Sequence, residues 1–451
     1  MLGSSFTSDH LTFVDLSLSR IRSFLVKIEN PQDKIQNIIH VAGTNGKGST
    51  CAFLRSILEG HGYSVNVFTS PHLLNYNERF RLSGQLISDD YLYNIKSKLQ
   101  QIEGYKELTI FELTMVIGFV AFYEQSADFN IIEVGLGGRL DASNVIQNPL
   151  LSIITTIDFD HTNFLGNTLE QIAYEKAGII KRNSKVITDY QKSEVLKIIK
   201  KQSSKMEAKL IAGDVDYKVI LESTDKEFKK ENKNDNNAVL SYNNQHIVLN
   251  KISLKGQHQY YNASLAIVAC INILKEKFDY TNISSMIANA EWRGRLQQVK
   301  HLYGVDFKNS QVYLDGAHNV SGFRVLCNFL ESEYGNYSSQ EDKKDDFKIS
   351  LMEIHIFLGM LENKDLNGVF RALYVVNKKF NITIYPIDIE GHSSYSAQDI
   401  ANIAKIHDFK VVMFDDIAKS LFDIDNNNKK NVIVFCGSLY LLGKFFGDNS
   451  L

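Results

Sequence analysis

The chain has 451 residues, of which 44% are hydrophobic and 22% are charged, and its formal net charge is -3. This length exceeds one typical hydrophobic core, so we expect two or three domains. The nearly balanced charge excludes a general attraction to nucleic acid or to anionic membranes. No apolar run approaches a membrane span, no signal-peptide pattern opens the sequence, and the four cysteines form no CxxC pair. We therefore expect a cytoplasmic protein, and we also expect a monomer.

Apolar strands alternate with helical patterns along the first half of the chain. The predicted strands are 38–42, 64–70, 129–135 and 150–158, and the predicted helices are 50–60, 111–125 and 168–180. Strands that are apolar on both faces are typical of a parallel sheet with helices on both sides. The pattern predicts an α/β domain.

The second half repeats this alternation, with strand signals in SQVYLDGAHN, MEIHIFLGM, FNITIYPI, FKVVMF and KNVIVFCGS. The polar turn EWRGR separates the two halves, and we place the domain boundary there, between domains 1–296 and 297–451. Three polar, charge-rich segments, 222–237, 338–348 and 425–431, are interpreted as solvated loops or hairpin tips without a binding role.

The segment HVAGTNGKGST, residues 40–50, follows a predicted strand and opens a predicted helix. Backbone amides at a helix start attract phosphate, and glycines let the backbone approach it closely. The spacing is shorter than in the common phosphate-binding loop, so a glycine-rich turn with an exposed lysine is the alternative. Three glycines and a lysine within six residues favour phosphate, with Lys47 on the outer phosphates and Ser49 capping the helix or facing a metal. The predicted phosphate-binding residues are Gly43, Thr44, Asn45, Gly46, Lys47, Gly48 and Ser49.

Polar side chains also follow the other predicted strands, at the edge where open parallel sheets bind ligands. Ser70 and His72 follow the second strand, Glu133 the third, and Asp160 and His161 the fourth. Beside a triphosphate, a hydroxyl, a carboxylate and an imidazole can complete the shell of a magnesium ion. Taken singly, Glu133 could instead cap a helix, and a lone histidine is more often structural than a ligand. Their shared position at strand ends favours the metal site.

Two phosphate-handling classes fit these features, an ATP-consuming enzyme and a nucleotide-controlled switch. A guanine-nucleotide switch needs an Asn-Lys-x-Asp element, whereas Asn363, Lys364 and Asp365 follow one another without a spacer. A second large α/β domain favours an enzyme that closes two domains over two substrates.

Ten motifs, in order from about residue 10 to residue 445, carry a more specific resemblance. They are HVAGTNGKGST, SPHLLNYNERFRLSG, FELT, EVGLGGRLDASNV, DHTNFLGNTLEQIAYEKAGIIK, GQHQYYNASLAI, WRGRLQ, DGAHN, GMLENKD and CGSLYL. This series resembles folylpolyglutamate synthase, whose bacterial form is often also a dihydrofolate synthase and which belongs with the Mur ligases. The family has the same short phosphate loop.

The resemblance implies an N-terminal P-loop-type parallel-sheet ATPase domain and a smaller C-terminal Rossmann-like α/β glutamate ligase domain. It implies that ATP phosphorylates a carboxylate and that the amine of L-glutamate attacks the acyl phosphate. Ser70, Glu133 and His161 would hold magnesium, two ions in all, and Lys176 would be carbamylated to add a metal-binding carboxylate. From its sequence alone, Lys176 is interpreted as an ordinary lysine on a helix surface.

The same resemblance assigns nucleotide contacts outside the loop. Asn262 would lie near the adenine, although it could simply be a polar residue near a helix N-terminus. Arg295 and Asp315 would contact the nucleotide, so that closure of the two domains would complete the ATP site.

In the second domain, His318 and Ser438 match positions of the active cleft, and Lys364 matches a lysine that could hold a glutamate carboxylate. Together with Lys47 and Lys176, His318 is expected to be catalytic. The alternative is that DGAHN and CGS are simply turns after strands.

The segment 13–25, FVDLSLSRIRSFL, resembles one that helps to form a dihydropteroate site in bifunctional members, although the family usually has glycine where Ser17 stands. An amphipathic first helix is the alternative. We predict both dihydrofolate synthesis and folate polyglutamylation, with ATP, L-glutamate and dihydropteroate or a reduced folate as substrates.

Two other functions stay open at this point. A Mur-type ligase that adds an amino acid to a peptidoglycan precursor would share the fold and the mechanism. A nucleotide-binding regulatory protein is the second alternative, and the presence of Lys47, Glu133, His161, Lys176 and Asp315 argues against it.

Overall fold

The computed structural model describes residues 16–221, 238–335, 352–427 and 429–449. The chain forms two compact units, Met1–Trp292 and Arg293–Leu451. The predicted polar segments 222–237 and 338–348 lie outside the described residues, as does the beginning of the segment 13–25.

An eight-stranded sheet lies at the centre of the first unit, in the order β4-β3-β2-β5-β1-β6-β7-β8. The four predicted strands, β1, β2, β5 and β6, are parallel as expected, and they are joined by two further parallel strands, β7 and β8, that were not predicted. Strands β3 and β4 form an antiparallel edge that the sequence did not indicate. Strands β9, β10 and β11 form a separate antiparallel sheet. The strands are β1 Ile38–Ala42, β2 Val65–Phe68, β3 Phe80–Leu82, β4 Gln85–Leu86, β5 Phe129–Glu133, β6 Leu151–Ile154, β7 Lys185–Thr188, β8 Lys209–Ala212, β9 Tyr217–Leu221, β10 Ala238–Tyr242 and β11 Gln245–Leu249.

Helices cover both faces of the large sheet, so neighbouring residues of one strand pack into different hydrophobic cores. Ile131 of β5 packs with residues of α3 and α9, whereas Ile132 packs with residues of α5. This two-sided burial explains the continuous apolar strands. The helices are α1 Ser19–Lys27, α2 Pro31–Lys34, α3 Lys47–Gly60, α4 Asp89–Leu99, α5 Ile110–Glu124, α6 Thr162–Leu165, α7 Leu169–Ala177, α8 Ser193–Lys205, α9 His258–Leu274 and α10 Ile283–Ala288.

The second unit is a six-stranded sheet in the order β12-β15-β19-β16-β17-β18, with a separate hairpin of β13 and β14. All neighbouring pairs in the sheet are parallel except β12 and β15. Its elements are β12 Gln297–Val299, β13 His301–Leu302, β14 Val305–Asp306, β15 Ser310–Leu314, α11 Val320–Tyr334, β16 Glu353–Leu358, α12 Leu366–Asn377, β17 Asn381–Pro386, α13 Ala397–Ile406, β18 Lys410–Val411, α14 Ile417–Asp425, β19 Asn431–Cys436 and α15 Leu439–Asn449. The predicted α/β class is confirmed in both units. No helix in the described parts of the chain is long and apolar enough to cross a membrane.

The prediction that 425–431 is a solvated loop is wrong at both ends. Asp425 is buried, and its carboxylate accepts backbone hydrogen bonds from residues 308–310 at 2.8 to 3.1 Å. Asn431 is also buried and donates from Nδ2 to the carbonyl of Ile424 at 2.7 Å. The run of polar letters hides these roles because both side chains satisfy backbone groups outside the segment, those bonded by Asp425 being more than 100 positions away.

Candidate active site

The loop between β1 and α3 has a conformation that only glycine supports at two positions. Gly43 has φ +151°, and Gly46 has φ +85° directly before Lys47, the first residue of α3. A Cβ atom on Gly43 would lie 1.8 Å from Oγ1 of Thr155, and one on Gly46 would lie 2.4 Å from Oδ1 of Asn262. The loop is therefore closely packed at Gly43 and Gly46, where only the absence of a side chain permits this conformation.

The prediction that Ser49 could cap α3 is wrong. Ser49 lies inside the first turn and is buried, and Gly46 occupies the N-cap position without a side-chain hydrogen bond. A left-handed glycine turns the chain into the helix here, so no capping oxygen competes for its first amides. Such an uncapped start of a 14-residue helix suits phosphate. That Ser49 faces a metal stays a prediction.

Two lysines converge on the loop. Nζ of Lys47 donates to the carbonyls of Gly43 at 3.2 Å and Thr44 at 3.3 Å, and it lies 4.0 Å from Oε1 of Glu133. Nζ of Lys176 donates to the same Gly43 carbonyl at 2.8 Å. Both ammonium groups therefore rest where the phosphates of a nucleotide are predicted.

The interpretation of Lys176 as a surface residue is wrong, since it is only 4% exposed. Leu169, Ile172 and Ala173 are buried on the same side of α7. Lys176 follows Leu169 by seven positions and Ile172 by four, a spacing that places it on the apolar face. Helical periodicity could therefore have shown its burial, whereas the contact with Gly43 is decided by the tertiary structure.

The structure connects part of the predicted metal-ligand set. Glu133 ends β5, is buried, and accepts the backbone hydrogen bond of Ser70 at 3.2 Å on Oε2. His161 lies before α6, and its Nε2 is 3.8 Å from Oδ2 of Asp160. No cluster of three or more His, Cys, Asp or Glu side chains suited to a metal occurs in the described ranges. The predicted set has only two residues of these types, so its role stays a prediction.

A buried histidine links β1 to the loop that follows Glu133. Nε2 of His40 lies 2.8 Å from Oγ of Ser143, and Ser143 donates to Oδ1 of Asp141. Oδ2 of Asp141 accepts the amides of Gly135 at 3.1 Å and Leu136 at 2.9 Å. Burial, with a smaller contribution from the nearby Lys181 ammonium, lowers the pKa of His40 to about 3. The ring is therefore neutral at physiological pH, with the proton on Nε2.

We expect this histidine to make the fold sensitive to acid. Unfolded His40 binds a proton near pH 6.5, whereas the folded ring stays neutral down to about pH 3, so stability is lost as pH falls through this window. Between pH 7 and pH 4.5, wild type should lose about 2–3 kcal/mol more unfolding free energy than His40→Gln. Urea unfolding at both pH values measures the difference. His246→Gln, at an exposed position, is the control; equal acid sensitivity of wild type and His40→Gln contradicts the expectation.

The second unit holds the remaining predicted residues. Asp315 follows β15, and its carboxylate accepts the amides of Leu296 and Ala317, each at 2.9 Å. Burial raises the pKa of Asp315, while the Arg295 guanidinium and these two amides oppose the shift. Nδ1 of His318 lies 2.8 Å from the carbonyl of Gly316. Arg295, Asp315 and His318 therefore belong to one neighbourhood.

Ser438 lies beside that neighbourhood, and Lys364 follows an adjacent strand. Ser438 is buried after β19, and its Oγ accepts the amide of Tyr440 at 3.2 Å. Gly437 donates to the carbonyl of Ala317 at 2.8 Å, which joins the loops after β19 and β15. Lys364 is half-buried in the segment after β16, the other neighbour of β19. The roles assigned to these residues stay predictions.

The residues that hold the phosphate loop were not predicted from the sequence. The carbonyl of Thr156 accepts the amides of Thr44 at 3.0 Å and Asn45 at 3.4 Å, and Oγ1 of Thr155 donates to the Asn45 carbonyl at 2.7 Å. Both threonines directly follow β6. The strand-end rule that selected His161 could have selected them too.

Comparisons with known proteins agree with this architecture. The Mur ligase middle domain matches residues 41–270, and the dihydrofolate synthetase C-terminal domain matches residues 297–447. The chain is 31% identical over 442 residues to dihydrofolate synthase/folylpolyglutamate synthase of Bacillus subtilis, covering 94% of this chain and 93% of that protein. It is 30% identical over 455 residues to dihydrofolate synthetase of Saccharomyces cerevisiae, covering 96% and 97%.

A solved structure shows the same fold over nearly the whole chain. A bifunctional folylpolyglutamate synthase/dihydrofolate synthase with Mn, AMPPNP and L-glutamate bound aligns with a TM-score of 0.76 and 25% identity. The alignment covers 97% of this chain and 95% of that one. The predicted fold class and resemblance are thereby confirmed, and the folate branch is favoured over a ligase acting on peptidoglycan precursors. The chain belongs to the dihydrofolate synthase/folylpolyglutamate synthase family of ligases.

Proposed function

We propose that this protein is an ATP-dependent ligase that joins L-glutamate to the carboxylate of a pterin or folate. The substrate carboxylate attacks the γ-phosphorus of ATP, and ADP leaves. The amine of L-glutamate then attacks the acyl phosphate, loses a proton and forms the amide as inorganic phosphate leaves. One observation carries this proposal. The ammonium groups of Lys47 and Lys176 both donate to the carbonyl of Gly43 in the glycine-rich loop, and the Glu133 carboxylate lies 4.0 Å from the Lys47 ammonium.

The loop and Lys47 supply the electrostatic part of phosphoryl transfer. Phosphate oxygens are stronger acceptors than the Gly43 and Thr44 carbonyls on which the Lys47 ammonium rests, so a bound nucleotide would draw it away from them. Transfer of a phosphoryl group depends on positioning and charge stabilisation more than on covalent chemistry. Asn262 lies against Gly46 of the phosphate loop, and its predicted place near the adenine is part of the proposal.

Magnesium fits the chemistry of the predicted ligands. Ser70, Glu133 and His161 would hold it through a hydroxyl, a carboxylate and an imidazole, and a hard cation prefers the two oxygen donors. Two magnesium ions would neutralise charge on the phosphates. The solved bifunctional synthase with Mn, AMPPNP and L-glutamate bound supports a divalent metal beside the nucleotide.

Carbamylation of Lys176 is the finer part of the proposal. The neutral amine would attack carbon dioxide and release a proton, which replaces a buried cation with a carboxylate able to bind metal. Burial favours the neutral amine that this reaction needs, because a charged ammonium is costly to desolvate, and a bound metal would stabilise the carboxylate that forms. Carbon-13 NMR in labelled bicarbonate tests it: a carbamate signal should appear in wild type and be missing from Lys176→Ala.

Two carboxylate acceptors are proposed, dihydropteroate and a reduced folate. The Bacillus subtilis relative is named for both activities and the Saccharomyces cerevisiae relative for dihydrofolate synthesis. The candidate acceptor helix α1 is amphipathic, with Ile21 and Leu25 buried, and Arg20 contacts the Glu112 carboxylate at 3.2 Å through both Nε and Nη2. These contacts also fit the alternative that α1 is simply an amphipathic first helix. An activity assay with each acceptor must therefore decide between the two interpretations.

The deciding experiment supplies purified protein with ATP, magnesium and L-glutamate. Dihydropteroate is added to one reaction and tetrahydrofolate to another, while a third contains neither. We expect acceptor-dependent ADP release and a product heavier by one glutamyl group in both acceptor reactions. A product with only one acceptor restricts the function to that activity. Absence of turnover with either acceptor contradicts the proposal.

A further inference from the structure

The segment 155–158, which follows β6, holds the phosphate loop through hydrogen bonds. The Thr156 carbonyl accepts the amides of Thr44 and Asn45. Oγ1 of Thr44 donates to the Asp158 carbonyl at 2.9 Å and accepts the Asp158 amide at 3.1 Å. The amides of Thr44 and Asn45 are thus already engaged, so the amides offered to phosphate begin further along, at the start of α3.

A second layer holds this segment from the end of β7. Asp189 follows β7 directly, and its Oδ2 accepts the Thr156 hydroxyl at 2.8 Å. Gln191 donates from Nε2 to the Thr155 carbonyl at 2.9 Å, and its Oε1 accepts the amide of Ile157 at 3.1 Å. Hydrogen bonds from Asp189 and Gln191 therefore fix the residues on either side of the Thr156 carbonyl, as well as the Thr156 side chain.

The central group of this second layer is a buried carboxyl, whose ionised form is costly to keep away from water. Asp189 is only 2% exposed, and burial raises its pKa to about 6. It is ionised at neutral pH, when it acts only as an acceptor and accepts the Tyr190 amide at 2.7 Å as well as the Thr156 hydroxyl. The Thr156 hydroxyl must then donate to it, which fixes one orientation of that side chain. A buried polar group of this kind rigidifies its surroundings when it is fully bonded.

We propose that Asp189 is a positioning residue for nucleotide binding, acting through the Thr156 hydroxyl on the carbonyl that orients Thr44 and Asn45. The inference rests on the proposed ATP-dependent function but names residues beyond the loop, its lysines and the metal ligands. The Asp189 carboxylate bonds Thr156 and the Tyr190 amide, so its effect on the loop is indirect. Its effect is to hold the Thr156 carbonyl, and with it the amides of Thr44 and Asn45, in one position.

Two variants change the hydrogen bond from opposite ends, one by removing its donor and the other by weakening its acceptor. Thr156→Val keeps the side-chain shape and removes the donor, whereas Asp189→Asn keeps one acceptor and removes the charge. Thr156→Ser retains the hydroxyl and is the conservative rescue. Thr383→Val makes the same change at a buried position in the second unit and is the matched control.

The measurement is equilibrium binding of AMPPNP with magnesium by calorimetry, followed by steady-state ligation. Hydrogen bonds to charged groups contribute about 1.5–3 kcal/mol, so we expect Thr156→Val and Asp189→Asn to weaken AMPPNP binding about tenfold to a hundredfold. The KM for ATP should rise by a similar factor, with kcat and the KM for L-glutamate changing less than about threefold. Thr156→Ser and Thr383→Val should bind within about threefold of wild type.

Each outcome separates this inference from the proposed function. Wild-type affinity in Thr156→Val and Asp189→Asn overturns the inference while leaving the ligase assignment intact, as does equal loss in Thr383→Val. AMPPNP binding that weakens as expected supports the positioning role even if neither acceptor is converted. Failure of wild type to bind AMPPNP overturns both.

Discussion

Lys47→Met is expected to reduce ligation by at least about a hundredfold, the scale on which single transition-state contacts act. Methionine keeps an unbranched side chain of similar length but has no ammonium to stabilise the transferring phosphoryl group. Within the described ranges this ammonium donates to two loop carbonyls and lies 4.0 Å from Oε1 of Glu133, so the fold should tolerate its removal. Initial rates with saturating ATP and L-glutamate measure the effect, and circular dichroism checks the fold.

Lys98→Met provides the control for that substitution. Lys98 is exposed and forms an ion pair with Glu124 at 3.2 Å, a type of contact that contributes little to stability. Its loss should leave the ligation rate within about twofold of wild type. Full activity of Lys47→Met would remove the lysine from the phosphoryl-transfer site and revive the nucleotide-binding regulatory protein as an interpretation.

Gly46→Ala is expected to abolish measurable nucleotide binding, whereas Gly62→Ala should only lower stability. Both glycines have φ +85°, so the added methyl group meets the same backbone strain at each, about 1 kcal/mol or somewhat more. At Gly46 the new Cβ would also lie 2.4 Å from Oδ1 of Asn262, whereas at Gly62 nothing lies within 4 Å. Gly46→Ala must therefore displace either the loop or Asn262.

Titration with AMPPNP and thermal unfolding of both variants separate the two effects. Similar losses of thermal stability with a loss of binding in Gly46→Ala alone would locate the defect at the loop. Equal affinities in the two variants would show that the contact between Gly46 and Asn262 does not matter for the nucleotide.

The site could be predicted from sequence where a residue acts close to its own chain position. The strand before Gly43, the helix after Lys47 and the exit of Glu133 from β5 are all local patterns, and the structure confirms them. Ser49 is the exception among the loop residues. Its capping role failed because the left-handed Gly46 takes the N-cap position, and backbone angles are not written in the side-chain pattern.

Roles that depend on distant partners were not accessible in the same way. Lys176 contacts the carbonyl of a residue 133 positions away, and Thr156 is bonded by an aspartate 33 positions away. Asp425 likewise satisfies amides at the start of another strand. In each case a polar side chain was assigned to solvent or overlooked, because a single sequence does not state which backbone groups need a buried partner.

The sequence by itself determined the α/β class, the glycine loop at the end of β1, and the family to which the chain belongs. Periodicity of apolar residues and the order of short motifs carry this information, since both depend on neighbours along the chain. Only the tertiary structure decided that Lys47 and Lys176 meet at one carbonyl and that Asp189 supports the loop through Thr156. Those contacts arise because parallel strands bring their carboxyl ends to a common edge, whatever their separation in sequence.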